Sequence, residues 1–140
     1  FGGNPASFEL PKGLLKADAT TWVLQAGGGQ TELVVKLTVE RSPDDGVDAY
    51  LDKQIRRIHK LGKAGVLRDE MVPLGDLDGR YIESAELPVA VAEPALRKAI
   101  WQVTTEAETG LYTLAVIGLH AAMEREREVL ISALRSLRVD

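Results

Sequence analysis

The chain has 140 residues, 45% hydrophobic and 27% charged, with a formal net charge of −4 at pH 7. That is the length and balance of one globular domain able to bury roughly 70% of its unfolded surface, which excludes the collagen, disordered and disulfide-scaffold classes. Zero cysteines remove thiol catalysis, cysteine metal sites and disulfides, two histidines leave little room for histidine chemistry, and mild acidity gives no general pull towards nucleic acid or anionic lipid.

Phe1 to Pro5 reads as a loose end, and Ser7 to Leu10 as a short strand closed by Pro11-Lys12-Gly13. Thr20 to Ala26 is β-rich, with Trp22 and Leu24 on one face, and Gly27-Gly28-Gly29-Gln30 turns it into a hairpin. In the strand Thr31 to Glu40, Leu33, Val35, Leu37 and Val39 share one face; Val34, Lys36, Thr38 and Glu40 share the other. One face is core and the other partly wet. Ser42-Pro43-Asp44-Asp45-Gly46 breaks the strand and offers acidic N-caps.

A helix follows from about Val47 to Gly62, on the apolar stripe Val47, Leu51, Ile55, Ile58 and Leu61. Lys53, Arg56, Arg57 and Lys60 lie mostly off that stripe, and Gly62 and Gly65 end the helix. Val66 to Leu74 and Gly79 to Leu87 read as strands joined by Gly75-Asp76-Leu77-Asp78, and Pro88 to Pro94 as a loop. Arg97 to Glu106 and Gly110 to Leu119 form another hairpin pair. The last of these strands is apolar on both faces, which places it at the centre of a sheet. A second helix is expected over Ala121 to Leu137, with Leu130, Leu134 and Leu137 inward and Glu124 to Glu128 solvated. Its Glu124/Arg127 and Arg125/Glu128 pairs are worth about 0.2–0.5 kcal/mol each. The order predicts a single α+β domain over residues 1–140: a mostly antiparallel sheet of about six or seven strands with two helices packed on it.

The search for reactive motifs comes back empty. The glycine run lacks the third glycine of a dinucleotide loop, where Glu32 stands, and a strand follows it instead of a helix. Asp76-Leu77-Asp78-Gly79 resembles a calcium-loop fragment, but Leu74 and Ala85 occupy the first-ligand and bidentate-glutamate positions. His120 and Glu124 stand at i,i+4 without a third metal ligand. No serine lies in a nucleophile elbow. Neither an enzyme nor a cofactor or metal is expected. The basic face of the first helix has no interleaved aromatics, so nucleic acid is not an expected partner. The uncharged stretch Thr109 to Met123 is too short for a membrane span.

Two glutamines stand out. Gln54 borders the apolar stripe of the first helix, and Gln102 sits mid-strand, facing opposite to Trp101. Each is either a hydrogen-bonding group for a guest or a satisfied or exposed amide, and the residues alone leave both readings open.

The run Leu33 to Arg41 leading into Ala49-Tyr50-Leu51-Asp52-Lys53-Gln54-Ile55, then Val72 to Gly79, Ile100-Trp101-Gln102 and Ser132 to Val139, resembles the DcrB-like family of the PsbP-like α/β sandwich fold. Within it the chain looks most like the Eag chaperones of type VI secretion, over roughly residues 7–138. The resemblance implies a dimeric cytoplasmic chaperone that holds apolar transmembrane helices of a PAAR-containing effector on a concave sheet. It carries effector-binding roles onto Gln54 and Gln102, and more loosely onto Trp22, Leu24, Val34 and Thr38. Lys36 departs from a wholly apolar groove. The alternative implied by the same fold is an envelope lipoprotein or periplasmic accessory domain, whose leader would have been removed ahead of Phe1.

Overall fold

The computed structural model describes residues 6–10, 14–18, 20–25, 31–62, 64–87, 93 and 96–139. The elements are β1 (Ala6–Ser7), β2 (Leu15–Asp18), β3 (Thr21–Gln25), β4 (Thr31–Glu40), α1 (Val47–Leu61), β5 (Ala64–Leu74), β6 (Leu77–Glu86), β7 (Lys98–Ala107), β8 (Gly110–Leu119), α2 (His120–Arg125), α3 (Arg127–Arg135) and β9 (Arg138–Val139). Seven strands form one antiparallel sheet in the order β2-β3-β4-β8-β7-β6-β5, and β1 pairs with β9 in a separate ribbon. The strand apolar on both faces, β8, is the middle one.

Alternation along β4 and the ladder registers divide the sheet into two faces. On the first, Trp22 stands beside Val35, Val35 beside Val116, Val116 beside Trp101, and Trp101 beside Glu83. α2 and α3 cover this face with Met123, Leu130, Leu134 and Leu137, all buried. On the second face, Thr38, Thr113, Thr104 and Arg80 form one cross-strand row. α1 packs over the Arg80 end of that row and beside β5. Gly62 closes α1 in the left-handed conformation, φ 70°, where its N–H reaches the His59 carbonyl, a position that suits glycine.

Five expectations change. The helix expected over Ala121 to Leu137 is two helices, broken at Glu126. Between Met123 and Leu130 no residue is buried, so no apolar anchor holds a straight helix across the gap. The strand expected at Ser7 to Leu10 shrinks to Ala6–Ser7 and joins β9 instead of the large sheet. β2 and β9, read neither as strand nor as helix from the sequence, are both strands. Gly65 lies inside β5 and does not end α1. The turn between β5 and β6 is Gly75-Asp76, with Gly75 at φ 67°, the positive φ a first hairpin position asks of glycine. The expected turn at Gly27 to Gln30, the end at Phe1 to Pro5, Pro11 to Gly13 and most of the Pro88 to Pro94 loop lie outside the described residues.

Candidate functional site

The ladder places three of the expected binding residues on one surface. Val34, Thr38 and Gln102 all belong to the second face. Gln102 lies between Ala115 on β8 and Ile82 on β6, in the row that reaches Lys36. The next row runs from Val23 through Val34, Ile117 and Ile100 to Ser84. α1 does not reach this row: Ile100 is 40% exposed, and Val23, Val34 and Ile117 are half-buried. A shallow depression of about 240 Å³ opens there, bordered by Ala64, Ser84, Lys98, Ile100 and Ile117. The Gln102 side chain is half-buried and makes no hydrogen bond found among the described residues. Its amide is therefore available to a ligand approaching the open half of the face. Lys36 is exposed on the same surface and keeps it from being wholly apolar.

Gln54 lies half-buried on α1, over this second face. Its side chain meets the Tyr50 hydroxyl, which donates to Glu40 Oε2 at 2.9 Å. Burial and the Glu40 carboxylate hold the Tyr50 hydroxyl above its ordinary pKa. No hydrogen bond joins Gln54 to Gln102 among the described residues. Trp22 is placed elsewhere: it is buried on the first face, edge-on to Phe8 with ring centroids 5.1 Å apart. Its ring is filled by this chain's own core, so it does not share a surface with Gln102. Leu24 pairs with Leu33 across the β3–β4 ladder, and its side chain lies outside the described residues.

A second constellation escaped the sequence reading. Glu83 is 1% exposed on the first face, although it is a carboxylate in mid-strand. Arg127, at the start of α3, grips it with two bonds of 2.8 and 2.9 Å and takes Glu124 with two more of 2.9 and 2.6 Å. The Tyr81 hydroxyl donates to Glu83 Oε2. The guanidinium also stands 4.4 Å from the Trp101 ring centroid, a cation–π contact. Burial pushes the Glu83 carboxyl up, but the bonds from Arg127 and Tyr81 outweigh it and leave it below its ordinary value. Burial, then the Glu83 contact, pushes the Tyr81 hydroxyl well up. With Oε1 and Oε2 both occupied, Glu83 is a structural anion rather than a free base. Trp101 Nε1 is buried without a partner among the described residues, a loss of about 1–3 kcal/mol that the neighbouring contacts must offset. The signal for Glu83 was alternation: it has the parity of Tyr81 and Ala85, both inward. Arg127, read as solvated, is instead the tie between α3 and the sheet.

The second face has a matching tie. Arg80 donates to both oxygens of Asp69 at 2.8 and 2.6 Å and to Asp52 of α1 at 2.8 Å, with Asp48 at 3.5 Å. The Arg80 bonds hold the Asp69 carboxyl below its ordinary value, and Asp69 chiefly holds the guanidinium above its own. His120 and Glu124 approach to 3.5 Å. Among the described residues no group of three or more His, Cys, Asp or Glu could hold a metal ion, and no helix is long and apolar enough to cross a membrane.

No family model and no curated sequence matches the chain. Solved structures do match. PA94, a protein of unknown function from Pseudomonas aeruginosa, superposes with a TM-score of 0.68 at 11% identity, over 94% of this chain and 89% of its own. CyanoP, the cyanobacterial PsbP of Synechocystis, does so with a TM-score of 0.64 at 13% identity, over 97% and 87%. LpqN of Mycobacterium tuberculosis, described as involved in cell envelope biogenesis, gives 0.62 at 11% identity, over 98% and 86%. The antiparallel sheet with α1 on one face and α2 and α3 on the other is the PsbP-like α/β sandwich.

Proposed function

We propose that the chain is a non-catalytic binding domain whose second sheet face receives an apolar helix of a partner protein. The observation that carries this reading is the row Val23-Val34-Ile117-Ile100, left open by α1 beside an unengaged Gln102. Apolar area costs about 25 cal/mol per Å² in water, so covering a bare helix on such a face is favourable. Gln102 can then meet small polar groups on the guest, and Gln54 can do so from α1. With Val34 and Thr38 these make the binding set; Trp22, buried on the first face, drops out of it. The resemblance supplies the finer reading: the guest is a transmembrane helix of a PAAR-containing type VI secretion effector, held in the cytoplasm by a homodimer until export.

A second reading is an envelope or periplasmic accessory domain, favoured by the likeness to CyanoP and LpqN. Cell fractionation of the full-length protein separates the two. The binding claim is tested by titrating a synthetic Leu-Ala-Ser helix of about 20 residues, the length of a membrane span. Ile100→Arg is expected to abolish binding and Gln102→Ala to weaken it about fivefold, one modest hydrogen bond. Unchanged affinity in a folded Ile100→Arg variant overturns the assignment.

A further inference from the structure

α1 turns its two sides to different strands. Asp48 and Asp52 reach Arg80 on β6. Tyr50, about 200° round the helix from Asp48, reaches Glu40 on β4 instead. Gln54 follows Tyr50 at i+4, so it stands on the β4 side as well. That is the side of the open row, which β4 joins at Val34.

The hydrogen bonds on this side of α1 have a direction. The Tyr50 hydroxyl has one proton and gives it to Glu40 Oε2 at 2.9 Å. A carboxylate only accepts, so the hydroxyl has a lone pair left for Gln54, which also meets it. Of the two ends of an amide, the N–H end alone can meet a lone pair. The Gln54 nitrogen is therefore turned towards Tyr50 and its carbonyl oxygen away. The Gln54 side chain is half-buried, and its carbonyl oxygen accepts no hydrogen bond found among the described residues. Gln102 has no such anchor and can turn either end of its amide outwards.

We propose that Tyr50, held by Glu40, is a positioning residue of the second face: it sets the Gln54 carbonyl oxygen to accept from the partner helix, so the guest carries a small donor such as a serine or threonine hydroxyl at the turn that meets α1. The inference rests on the reading of this face as a helix-binding surface.

The full chain carrying Gln102→Ala tests it, because Gln54 is then the amide that reads the guest. It is titrated with three helices of about 20 residues: the Leu-Ala-Ser helix, its version with alanine for every serine, and its version with O-methylserine, which accepts but cannot donate. The serine helix is expected to bind about fivefold more tightly than either of the others, one modest hydrogen bond. Adding Tyr50→Phe is expected to shrink that preference below about twofold and to leave the affinity for the alanine helix unchanged. A purely structural role for Tyr50 would weaken all three helices alike. In the nuclear magnetic resonance spectrum of the free, otherwise unmodified chain, Tyr50→Phe is expected to shift the Gln54 side-chain amide protons and not those of Gln102. Circular dichroism checks folding. Glu40→Ala, which removes the acceptor of the Tyr50 proton, replaces Tyr50→Phe if that variant fails to fold, with the same loss of preference expected. An O-methylserine helix bound as tightly as the serine helix, a serine preference that survives Tyr50→Phe, or equal weakening of all three helices overturns the proposal. Each of those results needs a bound helix, so each leaves the binding reading standing. No binding of any helix to the unmodified chain overturns both.

Discussion

Arg127 and Arg80 do the same job on opposite sides of one sheet, and the differences between them explain how the molecule divides its labour. On the first face the arginine comes from the helix and the buried acid from the sheet; on the second the arginine comes from the sheet, where Asp69 of β5 holds it, and reaches across to Asp52 of the helix. The contrast lies in the acids: Arg80 is 13% exposed and Arg127 26%, but Glu83 is 1% exposed whereas Asp69 and Asp52 are 31% and 50% exposed. On the face of Glu83 the apolar side chains of α2 and α3 pack against the sheet as one buried cluster. Around Arg80 only part of the face is covered, and the row of Gln102 and Ile82 separates the tie from the open row of Ile100. A buried pair is strongly destabilising to break because it strands a charge, while a wet one is screened. The first face is thus built for stability and the second keeps surface available.

That contrast can be broken in graded steps. Arg127→Met leaves the buried Glu83 with only the Tyr81 hydroxyl and a longer contact to Arg68 at 3.8 Å, and is expected to cost about 3 kcal/mol in chemical denaturation. Acid comes next. The bonds from Arg127 lower Glu124, those from Arg80 lower Asp69, and Arg127 with Tyr81 lower Glu83 against its burial. Lowered carboxylates bind protons in the unfolded chain first, so their stabilisation is complete above the ordinary glutamate value of 4.5 and lost as pH falls through the folded values. A stability profile from pH 7 downwards is expected to fall below that point, and to fall less steeply in Arg127→Met. Arg80→Met removes the wetter tie and is expected to cost about 1 kcal/mol. Its hydrogen exchange is expected to quicken in α1 while β7 and β8 stay protected; equal loosening of both faces would erase the contrast. Tyr50→Phe, which removes the exposed bond to Glu40, is expected to change stability by less than about 0.5 kcal/mol.

Periodicity made the large elements legible. The clean alternation of Leu33, Val35 and Leu37 identified the buried side of β4, and two-sided apolarity identified β8 as the central strand. The stripe through Leu51 identified α1, with Gly62 at its end. Short or weakly patterned segments were not legible: the two residues of β9 and four of β2 are too few to show a period. The faces of the candidate site followed only from register. Trp22 and Val34 each look like groove residues in isolation, but pairing with Val35 sends Trp22 to the sealed side. Arg127 sits in a run of alternating charge that reads as solvated. What draws it onto the sheet is Glu83, distant in sequence, and a tie of that range leaves no local trace.

The most direct test of the open-face account is hydrogen exchange of the full chain with and without the Leu-Ala-Ser helix. The account expects new protection at Val34, Ile100 to Gln102 and Ala115 to Ile117, with α3 and Glu83 unchanged. Protection confined to α3, or none at saturating peptide, would contradict it.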